Sequence, residues 1–313
     1  MNINPKTTAY IFPGQGSQFV GMGRELVEIV PAAKSVFQEA DELLGYPLSN
    51  LCWNGPEDKL NETEFTQPAL LTHSVAALRA FQEKFPEAGA VSTAGHSMGE
   101  FSALVAAGAM EFKDALYAVR ERGLAMKSAG EQQPGGMAAV LGLDIATVED
   151  TCQQATDQAE GGVWVANDNC PGQVVISGHE TALELAEGML KEAGARKVVR
   201  LAVSIAAHSP LMQAAQNRLN EALDSIRIQD PQIRVIGNVN ANALTSRDEV
   251  VQDLQFQLTS RVRWTESIKR MLEQGVDTFI EIGSGSVLTG LLKRIERSVA
   301  GIAIDTPESW EKL

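Results

Sequence analysis

The first apolar run, Thr8-Ala-Tyr-Ile-Phe12, is short, rich in β-formers and stopped by Pro13-Gly14, which predicts a buried strand entering a tight loop. Helical patterning follows. Thr66-Gln67-Pro68 is expected to open one helix, with Thr66 or Gln67 outside it and Pro68 near the first turn, where its missing N–H costs little. A second strand, Ala90 to Ala94, runs into Gly95-His-Ser-Met-Gly99 and an alanine-rich helix that Gly108 can close. From Gly136 to Ala202 the order changes: strand Met137 to Leu141, helix Ile145 to Ala159, strands Val163 to Ala166 and Gln173 to Ser177, helix Thr181 to Ala193, strand Lys197 to Leu201. Strand and helix then alternate again. A helix from Pro210, a strand near Val235, helices around Val250 to Leu258 and Glu266 to Gln274, and a strand Thr278 to Ile282 precede a last helix opened by Gly283-Ser-Gly-Ser286.

The βαββαβ order of the middle segment is the ferredoxin-like arrangement, with hinges available at Pro134-Gly-Gly136 and Ser204 to Ala207. The expected fold is therefore α/β: a large domain of residues 1–134 and 204–313, interrupted by a small ferredoxin-like domain of residues 135–203. With 44% hydrophobic and 21% charged residues among 313, the chain can bury a sizeable core. Its net charge of -14 excludes the dense cationic footprint that nucleic-acid binding needs. Cys52, Cys152 and Cys170 have no paired or metal-ligand spacing, so reduced cytoplasm is the expected setting and no metal is called for. Met1 to Lys6 lack the charged-then-apolar pattern of a leader, and no apolar run approaches the roughly 18 residues of a membrane span.

Gly95-His-Ser-Met-Gly99, after a strand and before a helix, has the form of a nucleophile elbow, in which glycines permit a crowded turn that exposes the serine oxygen. The backbone N–H of Met98 then faces the carbonyl that Ser97 would attack. An ordinary capped turn has the same residues, so a base is needed to decide. Of the four histidines, His96 adjoins the serine and is expected to point away, His73 lies within a helix, and His179 starts a helix of the small domain. His208, in Ile205-Ala-Ala-His-Ser-Pro210, lies just outside a helix that Ser209 can cap and Pro210 can begin, a position that favours neutral imidazole.

In the helix after Phe112, Ala115, Val119 and Met126 share a face into which Arg122 falls, while Arg120 lies outside it. A guanidinium there needs a partner, either a structural carboxylate or a ligand anion, and its planar fork suits both oxygens of a carboxylate.

Phe12-Pro-Gly-Gln-Gly-Ser-Gln18, Thr66-Gln-Pro-Ala-Leu-Leu-Thr72, Gly95-His-Ser-Met-Gly-Glu100, Arg120-Glu-Arg-Gly123, Asn169-Cys-Pro-Gly-Gln-Val-Val175 and Ala207-His-Ser-Pro-Leu-Met212 together resemble malonyl-CoA:acyl carrier protein transacylases, in the family's order and over nearly the whole chain. The resemblance implies a hydrolase-like α/β domain carrying the ferredoxin-like one. It implies Ser97 as acylated nucleophile, His208 as base, Arg122 as anchor for the malonyl carboxylate, and Gln15 and Met98 as the backbone donors of an oxyanion hole. It also implies a histidine oriented by backbone carbonyls, with Gln257-Leu-Thr-Ser260 as the matching segment and Gln257 as the orienter, and a pocket lined by Gln67, Asn169 and Ala207. The substrates implied are malonyl-CoA and holo-acyl carrier protein, with no cofactor and a monomeric enzyme that docks its carrier transiently. Two positions depart from the family pattern: Arg261 stands where proline is common, and Ala207 where relatives often carry a bulkier residue.

Because carrier proteins of the family are acidic and this chain is too, docking requires a local basic patch. Lys191, Arg196, Lys197 and Arg200 form one candidate, and Lys293, Arg294 and Arg297 another. A serine esterase or thioesterase would share the elbow but call for Asp or Glu behind the histidine. An acyltransferase serving polyketide synthesis would differ only in its carrier, and a non-catalytic carrier-binding protein would have no use for Ser97, His208 and Arg122.

Overall fold

The computed structural model describes residues 3–312, so Met1 and Asn2, within the segment read for a leader, lie outside the described residues. Strand β1 (Thr8–Phe12) is buried along its whole length. After it come α1 (Arg24–Ile29), α2 (Pro31–Leu44), α3 (Leu48–Asn54), α4 (Glu57–Leu60) and α5 (Thr63–Lys84). β2 (Ser92–Gly95) leads into α6 (Gly99–Ala106), which Gly108 closes at φ 68°, and then α7 (Phe112–Gln132).

Helix α5 corrects one expectation. It begins at Thr63, so Pro68 lies inside it and not at its first turn. The proline deprives only the Glu64 carbonyl of an intrahelical donor. Packing explains the early start: a Cβ on Gly123 of α7 would stand 2.8 Å from Glu64 Cα and 2.9 Å from the Thr63 carbonyl, so the two backbones touch there.

The middle of the chain folds as β3 (Gly135–Leu141), α8 (Ile145–Gln158), β4 (Val163–Cys170), β5 (Gln173–His179), α9 (Glu180–Glu192) and β6 (Lys197–Arg200). Its four strands pair antiparallel in the order β4-β5-β3-β6, the ferredoxin-like arrangement. Val148, Ala155, Leu183 and Leu190, spaced along one face of each helix, bury against Val140, Val165 and Ile176 of the sheet. Each buried Val, Leu or Ile contributes about 1.5–3 kcal/mol.

A 3₁₀ turn (Pro210–Met212) then leads to α10 (Gln213–Asp224), β7 (Arg234–Ile236), β8 (Ala243–Leu244), α11 (Arg247–Leu254), α12 (Trp264–Glu273), β9 (Thr278–Ile282), α13 (Val287–Ile295) and β10 (Ala300–Ile304), with a second 3₁₀ turn at Pro307–Lys312. The larger sheet has the order β10-β9-β1-β2-β7-β8, parallel apart from the β7–β8 pair. From β1 the chain builds β2 and β7 on one side and β9 and β10 on the other. Their carboxyl ends therefore open onto a shared edge, where α/β sheets place ligands.

Backbone pairing ties β4 of the small sheet to the segment just before α12: Val262 N donates to the Ala166 carbonyl (2.8 Å) and Asp168 N to the Val262 carbonyl (2.9 Å). Next to that seam, Arg261 ion-pairs with Glu149 of α8. Arg261 thus clamps the loop after Gln257 to helix α8 of the small domain. Among the described residues, no helix is long and apolar enough to cross a membrane.

Candidate active site

Ser97 sits at the carboxyl end of β2 with φ 52°, one of three non-glycine residues at positive φ among those described; His208 (φ 59°) is another. Such conformations cost about 1–3 kcal/mol each and persist only where the surroundings hold them. A Cβ on Gly95 would stand 1.9 Å from Gly99 backbone atoms, and one on Gly99 would stand 2.4 Å from the Phe12 carbonyl oxygen, so both ends of the turn require glycine. Asn238, just beyond β7, pins the turn on both sides. Its Oδ1 accepts from Ser97 N and its Nδ2 donates to the Gly95 carbonyl, each at 2.8 Å.

His208 reaches Ser97 from the far end of the small sheet's return. Its Nε2 lies 2.8 Å from Ser97 Oγ. Its Nδ1 lies 3.0 Å from the carbonyl oxygens of both Gln257 and Ser260. Carbonyls only accept, so Nδ1 carries the hydrogen and Nε2 presents its lone pair to the serine hydroxyl. Burial, and after it the nearby Arg122 charge, push the imidazole down to about 3, which keeps it neutral. Ser209 Oγ caps the following turn by accepting from Leu211 N, and the Ala207 carbonyl accepts from Ser177 Oγ at 2.7 Å.

Arg122 is buried and bonded to neutral groups. Nε donates to Gln257 Oε1 (3.1 Å), Nη1 to Gln67 Oε1 (2.8 Å) and more weakly to Met126 Sδ (3.4 Å), and Nη2 to Ser97 Oγ (3.0 Å). No carboxylate stands within ion-pair distance among the described residues, and desolvation lowers the guanidinium to about 9. The Nη2 donation to Ser97 Oγ also leaves the hydroxyl's one hydrogen for His208. One of the five N–H groups remains without a protein acceptor.

The other residues singled out in the sequence divide. Gln67 braces Arg122, and its Nε2 donates to Thr63 Oγ1 (2.9 Å). Met98 is buried behind the serine, while Gln15 is exposed and its Oε1 accepts from Thr63 Oγ1. Neither backbone N–H has a protein acceptor among the described residues. The Gln15 loop lies close to the elbow, since a Cβ on Gly14 would stand 2.4 Å from the His96 carbonyl oxygen. Asn169 reaches the site only through His96, whose Nε2 it holds at 2.8 Å, turning that ring away from the serine. Gln257 does more than orient His208: its amide touches Arg122, Glu100 and the Ser97 carbonyl as well.

Sequence reasoning missed Asn238, Ser260 and Glu100. Ser260 acts through its backbone, which leaves no side-chain pattern to read. Glu100 stood in the elbow motif without a role. No cluster of His, Cys, Asp and Glu suited to a metal occurs among the described residues.

An acyl transferase domain model matches residues 9–306. A malonyl CoA-acyl carrier protein transacylase of Bacillus subtilis is 48% identical over 305 residues, covering 97% of this chain and 95% of the relative. The crystal structure of an acyl carrier protein S-malonyltransferase from Vibrio cholerae superposes with a TM-score of 0.94 at 42% identity, covering 98% of this chain and 99% of that one. A malonyl-transacylase in complex with its type II polyketide synthase acyl carrier protein gives 0.93 at 41% identity, covering 97% and 98%. A likeness this close along the full length, with Ser97, His208 and Arg122 meeting at one sheet edge, places the chain in the acyl transferase family, among the malonyl CoA-acyl carrier protein transacylases.

Proposed function

We propose that this acyltransferase moves the malonyl group from malonyl-CoA to the phosphopantetheine thiol of acyl carrier protein through a malonyl-Ser97 intermediate. His208 Nε2 takes the Ser97 proton as Oγ attacks the thioester carbonyl, and coenzyme A leaves with that proton as its thiol. The carrier thiol then gives its proton to Nε2 and attacks the acyl-serine, and Nε2 returns the proton to Ser97 Oγ. The N–H groups of Gln15 and Met98 are the donors for the oxyanion in both steps. Arg122 is the seat of the malonyl carboxylate.

The observation that carries this reading is the support behind His208, two neutral carbonyls in place of a carboxylate. A buried imidazole next to Arg122, with no anion behind it, is a weak base. Coenzyme A and phosphopantetheine thiols, at about 8.5, ionise with little help, whereas water, a far weaker acid, needs a strong base. The site therefore favours thiol acceptors over water and acyl transfer over thioester hydrolysis. An esterase reading would place an Asp or Glu at His208 Nδ1.

Initial rates with both substrates varied give parallel double-reciprocal lines on this account; intersecting lines would require both substrates bound at once and contradict it. The pH profile gives a second test. His208 acts as a base only when neutral, and its depressed value of about 3 keeps it neutral through the weakly acidic range. We expect kcat/KM for malonyl-CoA to stay level from neutral pH down to about pH 5, where an ordinary histidine at about 6.5 would already have lost most activity. An acid limb centred near 6.5 would refute it.

Two basic patches stay open to the carrier: Lys191, Arg196 and Lys197 of the small domain, beside an Arg200 already paired with Glu180 and Glu187, and Lys293 and Arg294 of α13 with Arg297 just after it; none of these six has an ion-pair partner among the described residues. A cytoplasmic setting agrees with the three free, buried cysteines.

A further inference from the structure

Behind the serine, Glu100 of α6 and Asp253 of α11 are both buried as neighbours that perturb one another, and Glu100 Oε1 and Asp253 Oδ2 have no donor from any other group among the described residues. Two carboxylates cannot bond to one another without a proton between them. Glu100 is the more deeply buried of the two and is pushed up further, so the proton goes to Glu100. Asp253 Oδ1 accepts from the Val239 backbone N–H at 3.3 Å, as an anion can. Glu100 Oε2 accepts from Gln257 Nε2, which leaves Oε1 to face Asp253. Charge balance agrees: one proton leaves one negative charge, matching the single positive charge of buried Arg122. Two anions would leave an excess charge in a dry site, and two protons would leave Arg122 uncompensated.

We propose that Glu100 carries a proton donated to Asp253 and that this carboxyl pair is the positioning element for the Gln257 amide, which in turn holds Arg122 and the carbonyl behind His208. Gln257 Nε2 has two hydrogens, taken by Glu100 Oε2 and the Ser97 carbonyl. Its Oε1 is thereby turned to Arg122 Nε. Without an acceptor at Glu100 the amide is free to flip. The guanidinium would then lose a partner, and the Gln257 carbonyl at His208 Nδ1 would move. Glutamine at position 100 reproduces the protonated acid, with its oxygen accepting from Gln257 and its NH₂ donating to Asp253.

This inference rests on the acyl-transfer reading for its kinetics but not for its spectroscopy. The test begins with infrared difference spectra of wild type against Glu100→Gln at neutral pH without substrate. A protonated-carboxyl C=O band, shifted in D₂O, is expected in the wild type alone. The second arm follows malonyl-enzyme formation per titrated active site, which discounts any misfolded fraction. Glu100→Ala is expected to be about 10- to 100-fold slower per site, from lost bonds to charged groups. Glu100→Gln and Asp253→Asn, each keeping one charge and the bond between the pair, are expected to recover most of that rate. The proposal falls if the band is absent, if Glu100→Gln is as slow per site as Glu100→Ala, or if Glu100→Ala matches wild type. Where Glu100→Ala does not fold, the band and the two amide variants decide. A wild type that shows the band but no acyl-enzyme at all would leave the carboxyl pair standing and remove the acyl-transfer reading.

Discussion

Replacing Ser97 with alanine should abolish malonyl transfer, lowering kcat on the order of 10⁴-fold or more, while the protein stays folded and still binds malonyl-CoA. The hydroxyl is joined to both His208 and Arg122, by bonds of 2.8 Å to His208 Nε2 and 3.0 Å to Arg122 Nη2. Alanine keeps the Cβ that the turn already accommodates, and Asn238 still grips the backbone on either side. His208→Ala should cost a similar factor, and the double variant little more than either single one, because base and nucleophile act in one step. Independent, multiplying losses would mean that the two residues are not a catalytic unit. The measurement is single-turnover acylation of each variant.

Arg122→Ala carries the second large effect, and its signature is selectivity. Malonyl transfer should fall by about a hundredfold more than acetyl transfer, the worth of a charged hydrogen bond to the carboxylate that acetyl lacks. Both substrates should lose something in common, since Arg122 also steadies Ser97 Oγ, and Gln67 and Gln257 lose their buried donor. Arg122→Lys should recover only part, because an ammonium cannot span the separate acceptors that the planar fork reaches. Equal losses for malonyl and acetyl in the ratio of kcat/KM values would take Arg122 out of carboxylate recognition.

The parts of this site that were legible in the sequence are those whose chemistry leaves a local mark. The glycines around Ser97 are forced by contacts of 1.9 and 2.4 Å that no Cβ could survive, so the motif itself records the crowding. His208 is marked by the Ser209-Pro210 helix start, and Arg122 by being charged on an apolar helix face. What acts through backbone atoms leaves no such mark. The Gln257 carbonyl was reached only through family resemblance, and Ser260 was missed. Asn238 was hidden for another reason: its partners, Gly95 and Ser97, lie more than a hundred residues away in the chain, |i−j| of 143 and 141.

In the fold, strand β1 and the βαββαβ order were readable from periodicity. β8, of two residues, and β10, on the sheet edge, were too short or too weakly patterned to be seen. The start of α5 was misread because Pro68 suggests a first turn by its local chemistry, whereas docking against Gly123 sets the actual one.

Acylation of Ser97 can be observed directly. Wild-type protein mixed with malonyl-CoA, quenched and weighed intact, should gain one malonyl increment that peptide mapping assigns to Ser97. Addition of holo-acyl carrier protein should move that increment onto the carrier thiol. Transfer to the carrier with no adduct ever present on the protein, or an adduct on another residue, would contradict the account.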